Sequence, residues 1–403
     1  MSTNFITRRD LLKYGTAAAS AAVAKLSFAG QASPTQRTVV VMFDGFGPGY
    51  LAESKMPVLD HWKSSGIYKQ VTGMMPSVTN INNASICCGV YPEVHGIVGN
   101  SYFDEKRGVE EYMEDANLLL AATLFERAAR HGVKSALLSS KAKTVTFLLR
   151  GADIVLTAEE PTPDWTQKLG PAPPIYSAEI NHWLMRAAVD LLKNRPDIGV
   201  LYVHTTDYPM HMWPPEASES KNHLERLDEL FGQAMRAAPD AAFLVTADHG
   251  MNAKTRCWDL EKVCAARKVP LRKAFSAGRD RYVKHNRGCS GAAYVYLQSP
   301  QDASRVREIF GATKGVERVL SREEAARDYK LMPARIGDLV VWGDQDTVFG
   351  EMDMESEIFS GNLRSHGSLH EIEVPLIVYN AKNAPAASYF QRNLDLARWV
   401  YPA

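Results

Sequence analysis

What most constrains this chain is a pattern met four times: an unbroken apolar run that passes directly into polar or charged residues. Thr38–Phe43 leads into Asp44-Gly45, Lys134–Leu138 into Ser139-Ser140-Lys141-Ala142-Lys143, Val200–Val203 into His204-Thr205-Thr206-Asp207, and Ala242–Thr246 into Ala247-Asp248-His249-Gly250. A strand with one wet face alternates apolar and polar side chains, whereas an unbroken run fits a strand covered on both faces, the condition of parallel sheets. The stretches Leu118 to His131, Ala178 to Leu192 and Lys221 to Ala237 carry apolar residues at three- and four-residue spacing and predict amphipathic helices. Strands alternating with helices predict an α/β fold, a mostly parallel sheet flanked by helices. Ligands of such sheets bind beyond the carboxyl ends of the strands, so Asp44, Lys141, Asp207 and Asp248 are expected on one edge.

The core is expected to occupy 37–251 and to resume at 361–403, with a last strand at Val374–Tyr379 and a closing helix near Tyr389–Val400. Between them, 252–360 breaks the rhythm. A basic, Cys-bearing stretch to Lys284 is followed by a strand at Ala292–Leu297, helices at Asp302–Ala312 and Arg322–Tyr329, and a strand at Asp338–Trp342. This segment reads as an inserted α/β cap over the site. Residues 1–32 read as an export leader: Arg8-Arg9, then Leu11-Leu12-Lys13 and an Ala-rich run, the order of a twin-arginine signal. The mature protein is then expected in the periplasm or outside the cell, with no stable membrane anchor, since no other stretch approaches the ~20 apolar residues of a spanning helix. Five cysteines are too few for a disulfide framework. Cys87 and Cys88 read as core residues, and Cys257, Cys264 and Cys289 leave room for one bridge. Lys plus Arg equals Asp plus Glu at 46 each, so no overall field favours a nucleic acid polymer. The expected partner is a small molecule, and a homodimer is the one protein association left open.

The chemistry centres on the stretch from Met75 to Asn100, in which Thr79 enters a helix of small residues that Gly89, Pro92 and Gly96 then stop. A threonine there has free backbone N–H groups and the positive helix end beside it, which favour an alkoxide and an attacked phosphoryl group. Taken alone, such a threonine is most often only an N-cap. What favours a nucleophile is the company it keeps: Asp44, Asp207, His211, Asp248, His249 and His366 combine carboxylates and imidazoles in the mixture that suits zinc or a similar divalent ion. Asp207 and His211, four apart, share one face of a helical turn. A lone Asp-Gly is usually a turn and a lone Asp-His a solvated loop, but all of these residues fall at expected strand ends or on loops at the same edge.

Asp44-Gly, Thr79, Asp207-x-x-x-His211, Asp248-His249-Gly250 and His366-Gly367 occur in the order of the alkaline phosphatase superfamily, and the chain resembles its nucleotide pyrophosphatase/phosphodiesterase branch. Within it, Met75-Pro-Ser-Val-Thr-Asn-x-Asn-Asn, Tyr91-Pro-Glu-Val-His-Gly and Gly99-Asn-Ser-Tyr-Phe-Asp104 look most like the phosphonoacetate hydrolases. The resemblance implies two divalent ions, zinc first. One would be held by Asp44, Asp248 and His249 with Thr79, the other by Asp207, His211 and His366. It also implies that Thr79 forms a phosphoenzyme, that Asn100 steadies the phosphoryl group, and that Lys141 and Lys143 hold a substrate carboxylate while the C–P bond of phosphonoacetate breaks to acetate and phosphate. The bland reading of the two lysines is a solvated loop.

An exported phosphodiesterase or nucleotide pyrophosphatase using the same metals is the alternative. Those enzymes tend to have an aromatic residue after the nucleophile, where this chain has Asn80. The export leader points to a different phosphonate or a phosphodiester as substrate, because phosphonoacetate hydrolases are expected inside the cell. A sulfatase is disfavoured, since Cys87-Cys88-Gly lacks the Cys-x-Pro-x-Arg context. A binding protein that captures a phosphonate without turnover is a reading of a different class.

Overall fold

The computed structural model describes residues 36–402, so the expected leader lies outside the described residues. The central sheet has seven strands: β1 (Thr38–Met42), β2 (Ile67–Thr72), β3 (Lys134–Ser139), β4 (Ile154–Thr157), β5 (Ile198–His204), β6 (Ala242–Thr246) and β7 (Glu373–Tyr379). They lie side by side in the order β2, β7, β6, β1, β5, β3, β4. Every pairing is parallel except those of β7, which runs against both β6 and β2. All residues of β1 and β6 are buried, as an unbroken apolar run at the middle of a two-sided sheet requires.

Register sets the level of the strand ends. Met42 lies opposite both His204 and Thr246, and Ser139 lies opposite His204. The residues that follow, Asp44, Lys141, Asp207 and Asp248, therefore leave the sheet on one edge. Flanking helices follow the expected periodicity where tertiary contacts do not intervene: Glu179–Asn194 and Ser218–Ala237 pack against one another. The helix expected over Leu118–His131 is shorter, Leu124–Arg130, because Thr123 and Glu126 form a capping box that starts it late. The expected closing helix is only Asp395–Arg398. Its predecessor residues are held elsewhere: Asp395 accepts from the N–H groups of Gln391 and Arg392, and the N–H of Asn393 donates to the carbonyl of Thr72 in β2.

The inserted segment builds two smaller sheets. One has four antiparallel strands in the order 271–276, 292–297, 339–343, 316–321, and the other joins Thr347–Phe349, Asn252–Trp258 and Ser356–Ser365. The last of these strands runs across position 360, the expected end of the insertion, and carries the chain straight to His366. The five cysteines are buried and none forms a disulfide; the Cys257 thiol donates to Cys289 Sγ at 3.6 Å. Among the described residues no helix is long and apolar enough to cross a membrane.

Candidate metal centre

Asp44 is the second residue past β1, and its neighbour Gly45 is what lets it meet Asp207. Gly45 has φ +74°, and a Cβ on it would stand 2.9 Å from the Asp207 Cβ. Asp207 is the N-cap of the short helix Tyr208–Met212 and His211 lies within it, and the i, i+4 spacing puts Asp207 Oδ2 2.8 Å from His211 Nε2. His366 Nε2 lies 3.6 Å from the same oxygen. On the other side, His249 Nε2 is 3.2 Å from Asp248 Oδ2 and 3.6 Å from Asp44 Oδ1. Two groups of donor atoms result, Asp207/His211/His366 and Asp44/Asp207/His249, with the atoms of each within 4.8 Å of one another. Asp207 belongs to both, whereas the resemblance implied it for one set only.

The histidines are prepared in the same way. His211 Nδ1 donates to the carbonyl of Arg364 at 2.7 Å, His366 Nδ1 to that of Ser77 at 2.8 Å, and His249 Nδ1 to that of Gly250 at 2.9 Å. A carbonyl only accepts, so each Nδ1 carries the proton and each Nε2 keeps a lone pair aimed at the carboxylates. Burial holds His249 and His366 below the ordinary imidazole range, which keeps them neutral. Asp248 is pinned through Oδ1 by the N–H groups of Gly45 and His249, leaving Oδ2 free. That Oδ2, Asp44 Oδ1 and His249 Nε2 are buried and without hydrogen-bond partners. Burial and the adjacent Asp44 push the Asp248 carboxyl well above the carboxylate range, the mark of a carboxylate short of positive charge. Convergent, unpartnered oxygen and imidazole donors with no thiolate fit a divalent cation.

Thr79 is the first residue of the helix Thr79–Cys88, and Val78 is its N-cap, so the capping explanation of Thr79 does not hold. Gly89, at φ +70°, ends that helix as expected. Asn100 Oδ1 accepts from the N–H of Asn80, which ties Asn100 to the same helix start, while its amide donates to the carbonyl of Gly278 and to Asp280 Oδ2.

Lys141 and Lys143 are both about 1% exposed, so neither belongs to a solvated loop. Lys141 Nζ sits 2.7 Å from Asp44 Oδ2 and 2.8 Å from Asp207 Oδ1. Each aspartate thus gives one oxygen to the lysine and turns the other toward the imidazoles. Burial alone would lower the Lys141 pKa, but Asp207 and Asp44 hold it well above the ordinary value. Lys143 Nζ lies 2.5 Å from Asp280 Oδ2.

Several side chains that the sequence reading passed over also reach this place. From the insertion come Asp280, Tyr282, whose ring packs over the Lys143 ammonium at 5.6 Å, and His285, stacked between Tyr282 and His211 with Nδ1 3.5 Å from Asp207 Oδ1. From β5, His204 Nε2 lies 3.2 Å from Asp44 Oδ2 and its Nδ1 is bound by Ser139 Oγ. His95 is structural, joined to Ser85 and the N–H of Ile97, and His370 faces Glu317 at the surface. Lys254 is spent on Glu371 and the carbonyl of Gln345 rather than on the site.

A model of the type I phosphodiesterase / nucleotide pyrophosphatase family matches residues 38–369. The chain belongs to that family. Among solved structures, this family member resembles phosphonoacetate hydrolase from Sinorhizobium meliloti 1021 in complex with phosphonoformate: TM-score 0.82, 30% identity, covering 92% of this chain and 96% of that one. Murine ectonucleotide pyrophosphatase / phosphodiesterase 5 shares the fold, with TM-score 0.67 and 18% identity over 91% of this chain and 95% of that one. Venom phosphodiesterase of Naja atra is 25% identical over 230 residues, 53% of this chain, and the match spans about a quarter, 26%, of that protein's length. The chain thus has the alkaline phosphatase-like α/β fold of the phosphodiesterase family and is similar over nearly all of its length to a phosphonoacetate hydrolase.

Proposed function

We propose that this chain is an exported two-metal hydrolase that cleaves the C–P bond of phosphonoacetate, giving acetate and phosphate through a phosphothreonine on Thr79. The observation that carries the reading is the pair of buried ammonium groups, Lys141 and Lys143, beside the two donor clusters. A simple aryl phosphodiester has no second anionic group for them to hold; a phosphonate bearing a carboxylate does. The likeness to a phosphonoacetate hydrolase over nearly the whole chain supports the same substrate.

Asp44, Asp248 and His249 with Thr79 would hold one ion, and Asp207, His211 and His366 the other, with the Asp207 carboxylate close enough to the first set to serve that ion as well. Two divalent ions there, zinc being the one that suits these donors, would activate the threonine hydroxyl and offset charge on both sides of phosphorus. Thr79 Oγ gives its proton to solvent water and attacks phosphorus as the C–P bond breaks. The bonding pair passes to the acetate carbon, where the neighbouring carboxylate delocalises it as an enolate. The lysine ammonium groups neutralise that charge until the carbon takes a proton from water, and a second water then attacks phosphorus and releases phosphate from Thr79. Asn100, fixed against the N–H of Asn80, would donate to a phosphoryl oxygen with the N–H that otherwise makes the long, 3.4 Å contact with Asp280. Metal analysis after reconstitution is expected to find about two divalent ions per chain, and one or none removes the two-metal reading.

Lys143 tests the substrate. Replacing it with alanine removes a charge-assisted hydrogen bond of about 1.5–3 kcal/mol, so kcat/KM for phosphonoacetate is expected to fall ten- to hundredfold while that for an aryl phosphodiester changes little. Lys141→Ala is expected to lower both, because Lys141 also touches Asp44 and Asp207. An equal fall on both substrates for Lys143→Ala leaves the phosphodiesterase reading in front. That second reading is favoured by one observation, the pairing of Lys143 with Asp280. A chemically trapped phosphoenzyme on Thr79 separates either enzyme from a binding protein.

A further inference from the structure

Asp280 stands where the ligand-holding side chains meet. It is buried, it arrives from the inserted segment rather than from the sheet edge, and its Oδ2 touches both Lys143 Nζ at 2.5 Å and Asn100 Nδ2 at 3.4 Å. These are the two groups that the reading above gives to a substrate's carboxylate and phosphoryl oxygens. Its Oδ1 is fixed by the N–H of Tyr282, and the Tyr282 hydroxyl donates to Glu159 at 2.6 Å, which also accepts from the N–H of Ala142 beside Lys141. The carboxylate is therefore anchored to the lysine loop from two directions. An ammonium with one buried carboxylate already against it offers a second carboxylate far less than a bare one does.

We infer that Asp280 sets how strongly this site selects for a carboxylated substrate, because its carboxylate holds the place on Lys143 that a substrate carboxylate would take. The inference rests on the reading of Lys143 as the carboxylate-binding group. Asp280 then acts as an internal competitor. With it in place the site tolerates phosphoryl compounds whose leaving group is neutral, and with its charge removed Lys143 becomes a strong carboxylate receptor.

The test compares two ligands that differ by the carboxylate alone, phosphonoacetate and methylphosphonate, binding to the metal-loaded full chain in a Thr79→Ala background that blocks turnover. Calorimetric Kd values give the preference for phosphonoacetate in the parent, in Asp280→Asn and in Lys143→Met. Asp280→Asn is expected to raise that preference about tenfold or more, through tighter phosphonoacetate binding with methylphosphonate nearly unchanged. Lys143→Met is expected to abolish it. If Lys143→Met abolishes the preference and Asp280→Asn leaves it unchanged or lowers it, the carboxylate site stands and the role of Asp280 is overturned. If the preference is absent in the parent and in both variants, the carboxylate site itself fails, and the inference falls with it. Should Asp280→Asn not fold for want of a partner to Lys143, Asp280→Gly melted in sodium acetate and in sodium chloride carries the test. Acetate must restore Tm where chloride does not, and phosphonoacetate must do so at lower concentration than methylphosphonate. Restoration that does not distinguish carboxylates overturns the inference.

Discussion

Thr79→Ala is expected to remove turnover, by about three orders of magnitude or more, while the variant folds and keeps its metals. The residue is the first of its helix and Val78 is the cap, so the hydroxyl is not needed to start the helix. Its side chain is 2% exposed, and replacing it by a smaller group costs little packing, so Tm is expected to move by no more than a few degrees. Thr79→Ser keeps an oxygen at the same place and should retain part of the activity. Trapping with denaturant during turnover should find phosphate on Thr79 of the wild type and none on the alanine variant. If the alanine variant keeps most of the activity, water attacks phosphorus directly and the phosphothreonine is lost from the mechanism.

The sheet edge was legible because its information is local. An apolar run such as Thr38–Met42 declares its own burial, and the residue after it must then lie at a strand end, so Asp44, Lys141, Asp207 and Asp248 could be placed on one edge without knowing the strand order. The insertion's share was not legible. Asp280, Tyr282 and His285 reach the site only through the packing of the inserted segment, and no periodicity near them says which way that segment faces. Local pattern also misjudged Asp395–Arg398 as part of a long closing helix, since pairing of Asn393 with Thr72 is a distant contact that spacing does not reveal. The resemblance implied two separate donor sets, whereas Gly45 lets the Asp44 loop close onto Asp207 and brings that carboxylate within reach of both.

Asp207→Ala is therefore expected to empty both metal positions, whereas His366→Ala should empty one. Asp207 Oδ2 faces His211 and His366, Oδ1 faces Lys141 and His285, and the residue is a member of both donor groups. Removing it deletes a ligand from each group and leaves the buried Lys141 ammonium with Asp44 as its carboxylate partner. Losing one partner of a buried ion pair costs about 3–5 kcal/mol, so the alanine variant should also melt several degrees lower. That makes Asp207→Asn the cleaner probe, since it keeps the volume and a hydrogen-bond acceptor while removing the charge. Metal content after reconstitution and gel filtration should read well below one ion per chain for either Asp207 variant and near one for His366→Ala, with activity at background in all three. Near-stoichiometric retention of one ion by a folded Asp207→Asn protein would show that Asp207 serves a single ion. Its approach to Asp44 and His249 would then reflect charge pairing through Lys141, and the two-set division implied by the resemblance would stand.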